Sequence, residues 1–219
     1  MEYLPSIACA DPINLERDIE ELSSLGFSCL HFDIMDNHYV RNLCLSFDIG
    51  KRIKERFPAM ELDVHVMVES PEDYVDRVAE MGGARFAFHL DSTRDAKTLI
   101  KRTKDLGMLS AAALNPEQSI RNLLPIISEL DFVLMMSIRP GFPGAQFIEN
   151  TFSRVQELDT IRKEHNPALK ISVDGGIRPE TAKELGRCGA DMLVLGYFIM
   201  FRQHDSISEA WRRNFPLMQ

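Results

Sequence analysis

The sequence predicts an α/β protein that folds as a single (β/α)8 TIM barrel, and three observations support this. Short apolar runs alternate with longer amphipathic stretches, which is the pattern of a parallel sheet with crossover helices. There are eight such runs, and they are apolar almost throughout, as is typical of strands buried on both faces. The 219 residues and the 45% hydrophobic content suit one catalytic domain over residues 1–219. The same alternation also fits an open doubly wound sheet.

The predicted strands are the apolar runs themselves. They cover residues 4–9, 29–34, 62–67, 85–89, 109–114, 132–137, 171–173 and 192–195. The two least regular segments, 35–45 and 140–150, each follow a strand. We expect both segments to be loops at the carboxyl-terminal mouth of the barrel, where barrel enzymes hold their active sites.

Start and stop signals delimit the predicted helices. Asp11 followed by Pro12 predicts a capped helix start. A stripe at helical spacing follows it, formed by Ile13, Leu15, Ile19, Leu22 and Leu25. Pro71 and Pro179 open two further helices in the same way. Glycines stand where helices should end, at Gly26, Gly82, Gly83, Gly107 and Gly189.

Composition narrows the class of partner. The net charge of −8 argues against a nucleic-acid or anionic-membrane partner, because phosphate-rich surfaces attract basic proteins. The N-terminus lacks a signal-peptide pattern, and the longest apolar run, residues 192–201, is too short to cross a bilayer. Four scattered cysteines suit free thiols in a reducing cytosol: Cys9, Cys29, Cys44 and Cys188. We therefore expect a cytoplasmic protein that acts on a small molecule.

Ligand-type residues end three of the predicted strands. His31 and Asp33 are two positions apart, so both side chains project from the same face of the second strand. His65 ends the third strand and Asp174 follows the seventh. Two imidazoles and two carboxylates that meet at one mouth would suit one divalent ion, such as Zn, Mn, Fe(II) or Co. A structural hydrogen bond for the His-x-Asp pair and a turn role for Asp174 are the alternatives that spacing leaves open.

Short motifs along nearly the whole chain resemble those of the ribulose-phosphate 3-epimerase family. The segment HFDIMDNHYVRN, residues 31–42, is similar to the family signature H-x-D-x-M-D-G-H-F-V-P-N. Five further elements occur in the family's order: PSI at 5–7, DVHVM at 63–67, LNP at 114–116, MSIRPGF at 136–142 and VDGGI at 173–177. Each element is short, but their order along one chain is specific.

The resemblance implies a homo-oligomeric isomerase of the pentose phosphate pathway. Its reaction would convert D-ribulose 5-phosphate to D-xylulose 5-phosphate. By resemblance, one metal ion is held by His31, Asp33, His65 and Asp174. Asp33 and Asp174 would also serve as the acid/base pair, because inversion beside a ketone needs one such group on each face of a planar enediolate. A divalent cation stabilises the negative charge of that intermediate.

Substrate-binding residues are expected around the same mouth. Ser6 would contact a substrate hydroxyl, unless it is a buried serine bonded to backbone. The methionines at strand ends, Met35, Met67 and Met136, form either an apolar floor that excludes water or ordinary core filling. Barrels often bind phosphate after strands seven and eight, which predicts a cradle at Gly175, Gly176, Gly196 and the following Tyr197. The resemblance adds Gly141 and Gly144 of the sixth loop.

Five positions depart from the family pattern, all near substrate rather than among the metal ligands. The sixth loop carries Pro143, which lacks an N–H, and Ala145 where the family has glutamine. Tyr197 replaces a small residue. In the second loop, Asn37 replaces glycine but tolerates a left-handed backbone, and Arg41 replaces proline. Arg41, like Arg139 beside the sixth loop, either reaches an anion or is a solvated surface residue.

Three alternative functions remain. A hexulose 6-phosphate 3-epimerase, acting for example on allulose 6-phosphate, has a similar tail to residues 201–212. A decarboxylase or a Schiff-base aldolase is disfavoured, because Lys170 begins its strand and no lysine is expected at the catalytic end. A noncatalytic barrel that binds a sugar phosphate or a metal is the third.

Overall fold

Eight parallel strands form a nearly closed barrel in the computed structural model, which describes residues 1–201 and 206–219. The strands are β1 (Glu2–Pro5), β2 (Cys29–Met35), β3 (Glu61–Met67), β4 (Arg85–His89), β5 (Leu109–Leu114), β6 (Phe132–Met136), β7 (Lys170–Asp174) and β8 (Met192–Leu195). From β2 to β8 each strand pairs with its sequence neighbour, and β8 pairs in parallel with β1. The seam between β1 and β2 carries a bridge between Ser6 and His31. The predicted barrel is therefore confirmed, because in an open doubly wound sheet β1 would not pair with β8.

Helices surround the barrel. They are α1 (Leu15–Ser24), α2 (Phe47–Arg56), α3 (Val75–Met81), α4 (Ala96–Asp105), α5 (Thr151–His165), α6 (Pro179–Cys188) and α7 (Ile207–Asn214). Two 3-10 helices, Ile120–Leu123 and Ile127–Glu129, replace the α-helix between β5 and β6. Pro125 lies between them, and proline breaks a helix interior because it lacks an N–H and its ring clashes with the preceding turn. Among the described helices, none combines the length and apolarity needed to span a membrane.

Strand alternation sorts the side chains into two apolar layers. On β2, Leu30, Phe32 and Ile34 pack in the layer between the sheet and the helices. The residues between them, His31 and Asp33, consequently face the barrel interior. Most of that interior is filled by apolar side chains, among them Leu4, Ala111, Leu134 and Val194. The buried polar side chains near the mouth therefore stand out as a functional feature.

The first predicted strand was wrong, whereas the other seven match within one residue at each end. Residues Glu2–Pro5 form β1, and Ile7–Cys9 is a 3-10 helix. An apolar run does not by itself separate a strand from a short buried helix. Here the backbone N–H groups of Cys9 and Ala10 bond back to Ser6 and Ile7, which turns the chain across the mouth.

The predicted start of the first helix was also wrong. Helix α1 begins at Leu15, after Asn14. The Asp11 carboxylate instead accepts hydrogen bonds from the Ile13 N–H and Asn14 Nδ2, so it closes a local turn. Ile13 is 89% exposed and is not part of the apolar stripe.

The other helix signals correspond to observed boundaries. Pro179 opens α6, whereas Pro71 opens a 3-10 turn that precedes α3. Gly82 and Gly189 end α3 and α6 in the left-handed conformation. Of the tail 201–212, whose similarity suggested a hexulose phosphate, residues 202–205 lie outside the described residues.

Candidate active site

The four side chains that the sequence singles out meet at the floor of the barrel mouth. One potential ligand atom from each of His31, Asp33, His65 and Asp174 lies within 4.8 Å of every other. His31 and Asp33 come from β2, His65 from β3 and Asp174 from the end of β7. The two histidines are fully buried, and Asp33 and Asp174 reach the surface of a pocket above them.

Asp63 orients His31. The His31 Nδ1 atom lies 2.7 Å from Asp63 Oδ2, and because a carboxylate can only accept, Nδ1 carries the proton. The opposite nitrogen, Nε2, is buried without a hydrogen-bond partner among the described residues, 3.3 Å from Asp33 Oδ1 and 3.9 Å from Asp174 Oδ2. A histidine whose far nitrogen is held by a carboxylate is the usual arrangement of a metal-binding imidazole.

The role of Asp63 was not predicted from the sequence, although a signal was present. Asp63 is two residues before His65, so period two puts both side chains on the same face of β3. The strand register also places Asp63 directly beside His31.

His65 faces the cluster through its other nitrogen. Its Nδ1 atom lies 3.2 Å from Asp33 Oδ1 and 4.0 Å from Asp174 Oδ2. Its Nε2 atom lies 2.9 Å from Nε2 of His89, which ends β4 and was also missed. Burial holds the pKa of His89 well below its usual value, so His89 is neutral. His89 could have been recognised from the sequence, because it lies at the mouth end of a predicted strand.

The environments of the two aspartates push their pKa values apart. Burial raises the pKa of Asp33, but charge and hydrogen bonds from His31 and His65 outweigh it and hold the pKa well below its usual range. Burial raises the pKa of Asp174 to about 6, opposed by His31 and reinforced by the negative charge of Asp33. Two carboxylates with separated pKa values are the usual sign of distinct acid and base roles.

Hydrogen bonds fix the carboxylate of Asp33 and the backbone of Asp174. Ser6 Oγ donates to Asp33 Oδ2 at 2.9 Å, so this buried serine bonds to a side chain and not to backbone. Ser137 Oγ lies 2.8 Å from the backbone oxygen of Asp174 and 2.6 Å from that of Gly175. The start of the seventh loop is thereby tied to the end of β6.

The cluster fits a divalent metal ion. Two nitrogens and two carboxylates are the donor set that Zn, Mn, Fe(II) and Co accept. Within the described part of the chain, His31 Nε2 is buried beside two carboxylates without a hydrogen-bond partner, an arrangement that a cation between these groups would satisfy.

A cavity of about 610 Å³, part of it open to solvent, lies above Asp33 and Asp174. All ten residues that the sequence assigned to substrate line it: Ser6, Met35, Met67, Met136, Gly141, Gly144, Gly175, Gly176, Gly196 and Tyr197. Met67 and Met136 are also buried. These two side chains therefore fill the core and at the same time form part of the apolar floor of the cavity. Cys9, Phe142 and Phe198 also line the cavity and were not predicted.

The glycines of the seventh loop have no room for a side chain. Gly176 has φ +62°, and an added Cβ would lie 2.8 Å from the Ala145 carbonyl oxygen and 2.8 Å from the Phe147 nitrogen. At Gly175 an added Cβ would lie 2.3 Å from Ile138. The loop after β7 thus packs tightly against the loop after β6, and both glycines line the cavity.

The positions that depart from the family pattern differ in their relation to the cavity. Pro143 and Tyr197 line the cavity, and Asn37 has φ +63°, the left-handed conformation that asparagine tolerates. Arg41 and Arg139 are exposed and are not among the residues that line the cavity.

We expect Gly176→Ala to raise KM for a phosphorylated substrate by about tenfold or more, because its Cβ must displace the sixth loop. Gly107→Ala is the matched control. Gly107 has φ +83°, and no atom of the residues that the structure describes lies within 4 Å of an added Cβ, so this variant carries backbone strain of about 1–2 kcal/mol without a clash. Steady-state kinetics and thermal melts of both variants measure the difference. Equal KM values would contradict a role of this loop contact in binding.

A nearly closed parallel barrel with a pocket at the carboxyl ends of its strands is the architecture of barrel enzymes. The model of the Ribulose-phosphate 3 epimerase family matches residues 2–200. A ribulose-phosphate 3-epimerase of Aquifex aeolicus is 32% identical over 192 residues, which is 88% of this chain and 86% of that protein. A rice protein named ribulose-phosphate 3-epimerase, cytoplasmic isoform, is 34% identical over 88% of this chain and 84% of its own.

The class is therefore that of isomerases that act on carbohydrates, as the sequence analysis expected. The chain belongs to the ribulose-phosphate 3-epimerase family. Among solved structures, a phosphoribosyl anthranilate isomerase of Thermus thermophilus is similar with a TM-score of 0.70, covering 100% of this chain and 98% of that one. At 15% sequence identity this likeness concerns the fold alone.

Proposed function

We propose that this protein is a metal-dependent epimerase that interconverts D-ribulose 5-phosphate and D-xylulose 5-phosphate through an enediolate. The observation that carries the proposal is the position of Asp33 and Asp174, which line the pocket and lie within 4.8 Å of the two histidines. Membership of the family supports the same reaction.

His31 Nε2, His65 Nδ1 and the carboxylates of Asp33 and Asp174 would hold the ion. When bound, a divalent ion stabilises negative charge that develops on substrate oxygens beside C3. The remaining work belongs to side chains of this chain. Ser6 fixes the Asp33 carboxylate in one orientation through its hydrogen bond to Oδ2. Met67 and Met136 line the pocket with apolar surface that keeps water from the enediolate.

The two carboxylates would move the protons. Asp33, whose pKa is held low, is ionised and accepts the C3 proton of one epimer. Asp174 returns a proton to the opposite face of the planar intermediate. In the reverse direction the roles exchange. The strands that carry them, β2 and β7, are separated by β1 and β8 on one side of the barrel, so the carboxylates approach from different directions.

The phosphate would lie at the opposite end of the pocket, against backbone N–H groups of the seventh and eighth loops. Gly175, Gly176 and Gly196 let the chain approach closely there. Tyr197 occupies cavity space where the family pattern has a small residue. This reduction in room favours a five-carbon over a six-carbon sugar phosphate.

The test is proton exchange in deuterated water, followed by NMR, with D-ribulose 5-phosphate and D-allulose 6-phosphate as parallel substrates. We expect deuterium at C3 and formation of xylulose 5-phosphate, with the higher kcat/KM on the pentulose. A higher kcat/KM on the hexulose would replace the sugar assignment. Absence of exchange with both would leave a noncatalytic sugar-phosphate-binding barrel.

Metal affinity should depend steeply on pH. The ligands bind only when deprotonated, and both His31, whose pKa is well above its usual value, and Asp174, with a pKa of about 6, must give up protons. Desolvation lowers the pKa of His31, but the charges of Asp33 and Asp63 outweigh it. Below pH 6 we expect Zn²⁺ affinity to fall about tenfold to a hundredfold per pH unit, measured by competition with a chromophoric chelator. A flat profile between pH 5 and 8 would contradict this ligand set.

The family relationship also bears on the location, the domain organisation and the assembly state of the enzyme. We place it in the cytoplasm as one catalytic domain over residues 1–219 and as a homo-oligomer. The family model spans nearly the whole chain, and the name of the rice relative supports the location. Sedimentation velocity at micromolar concentration tests the assembly state, and a monomer would overturn that part.

A further inference from the structure

His65 and His89 form a buried pair of rings on adjacent strands. Their Nε2 atoms are 2.9 Å apart, and neither side chain has any exposed surface. Two ring nitrogens at this distance can share only one proton, so one donates and the other accepts. The tautomer of each histidine therefore fixes that of the other.

Two arrangements satisfy this pair. In the first, His65 carries its proton on Nδ1, donates to Asp33 Oδ1 at 3.2 Å, and accepts from His89 at Nε2. In the second, His65 carries the proton on Nε2 and donates it to His89. Only the second leaves a lone pair on His65 Nδ1, facing Asp33 and Asp174, that can bind a cation.

The surroundings of His89 hold the ring without choosing its tautomer. Its Nδ1 atom is buried and has no hydrogen-bond partner in residues 1–201 and 206–219. The ring packs against Tyr39, with ring centroids 4.6 Å apart. Tyr39 is itself fixed, because its hydroxyl donates to Asp91 Oδ1 at 2.7 Å and accepts from Asn115 Nδ2 at 2.6 Å. His89 is thus immobile in position, while nothing at Nδ1 ties its proton to one nitrogen.

We propose that His89 is a positioning residue whose Nε2 accepts the His65 proton, so that His65 binds the metal ion through Nδ1 and both histidines change tautomer together when the ion arrives. This inference rests on the metal site proposed above. An acceptor behind the imidazole makes its other nitrogen a better ligand, as outer-shell partners of metal-binding histidines generally do.

Two variants separate the hydrogen bond from the packing. His89→Phe keeps a ring against Tyr39 but leaves the buried His65 Nε2–H without an acceptor. His89→Gln offers an amide oxygen near the original Nε2 position. We expect Zn²⁺ affinity to fall about 10–100-fold in His89→Phe and to return in large part in His89→Gln. His165→Gln, at the exposed end of α5, is the control for loss of a histidine and should bind like the wild type.

The decisive readout is ¹⁵N NMR of the histidine rings with and without Zn²⁺. In the zinc-bound wild type we expect a proton on His65 Nε2 and none on His89 Nε2. A proton on His89 Nε2 in that state, or wild-type zinc affinity in His89→Phe, would overturn the inference while leaving the metal site intact. A wild type that binds no Zn²⁺ would overturn both. If circular dichroism shows that His89→Phe does not fold, the ¹⁵N NMR spectra of the wild type alone test the inference.

Discussion

Replacing either Asp33 or Asp174 by asparagine is expected to lower kcat/KM for epimerisation by about 10²–10⁴-fold. Asparagine has nearly the same shape, so the pocket is preserved, but it neither accepts nor returns a proton. Both faces of the enediolate need their own group, and each variant therefore fails although the other carboxylate is present. A coupled assay of xylulose 5-phosphate formation, with metal content measured on the same samples, quantifies the loss.

Asp105→Asn provides the matched control. Asp105 is half exposed at the end of α4, where it pairs with Lys101, and its replacement should leave kcat/KM unchanged. Thermal melts of the metal-free proteins give a second check. Because the folded-state pKa of Asp174 is raised to about 6, its ionised form disfavours folding above that pH. Metal-free Asp174→Asn should thus melt at or above the wild-type temperature at pH 8. Either metal-replete variant within tenfold of wild-type activity would remove the two-carboxylate mechanism.

Removal of the metal ion is expected to abolish turnover and C3 proton exchange together. A divalent ion contributes several kcal/mol of charge stabilisation, so a loss of about 10³-fold or more follows when it is absent. Dialysis against a chelator, then addition of single metals, measures the effect. Zn²⁺, Mn²⁺, Co²⁺ or Fe²⁺ should restore exchange, since two of the four donors are imidazole nitrogens.

Mg²⁺ is the matched control for ionic charge. It prefers an all-oxygen octahedral site, and we expect it to restore far less exchange than a transition metal at equal concentration. Full exchange in protein shown by elemental analysis to be free of metal would contradict the proposed chemistry.

Much of the site could be predicted from strand periodicity. In a parallel barrel all strands run toward the same mouth, so His31, Asp33, His65 and Asp174 are brought together although they are far apart along the chain, because each lies on a strand that leads to this mouth. The same logic places the glycines of the seventh and eighth loops around the pocket. These predictions need strand positions and no detailed packing.

The supporting residues of the site could not be predicted from single strands, because their roles depend on neighbouring strands. Asp63 supports His31 across the β2–β3 register, and His89 supports His65 across β3–β4. Such pairs appear only when neighbouring strands are aligned, because each residue alone is typical of a buried polar contact. The first strand was misassigned because the apolar residues Ile7–Cys9 form a 3-10 helix. Hydrogen bonds to the backbone oxygens of Ser6 and Ile7 stabilise this turn, and an apolar pattern does not predict them.

The most direct test is anomalous X-ray diffraction from crystals grown with Zn²⁺, recorded on both sides of the zinc edge. We expect one strong anomalous peak per chain, bonded to His31 Nε2, His65 Nδ1 and carboxylate oxygens of Asp33 and Asp174. A peak elsewhere, or zinc bound at the surface while these four side chains contact only one another, would contradict a shared cation at the floor of the barrel.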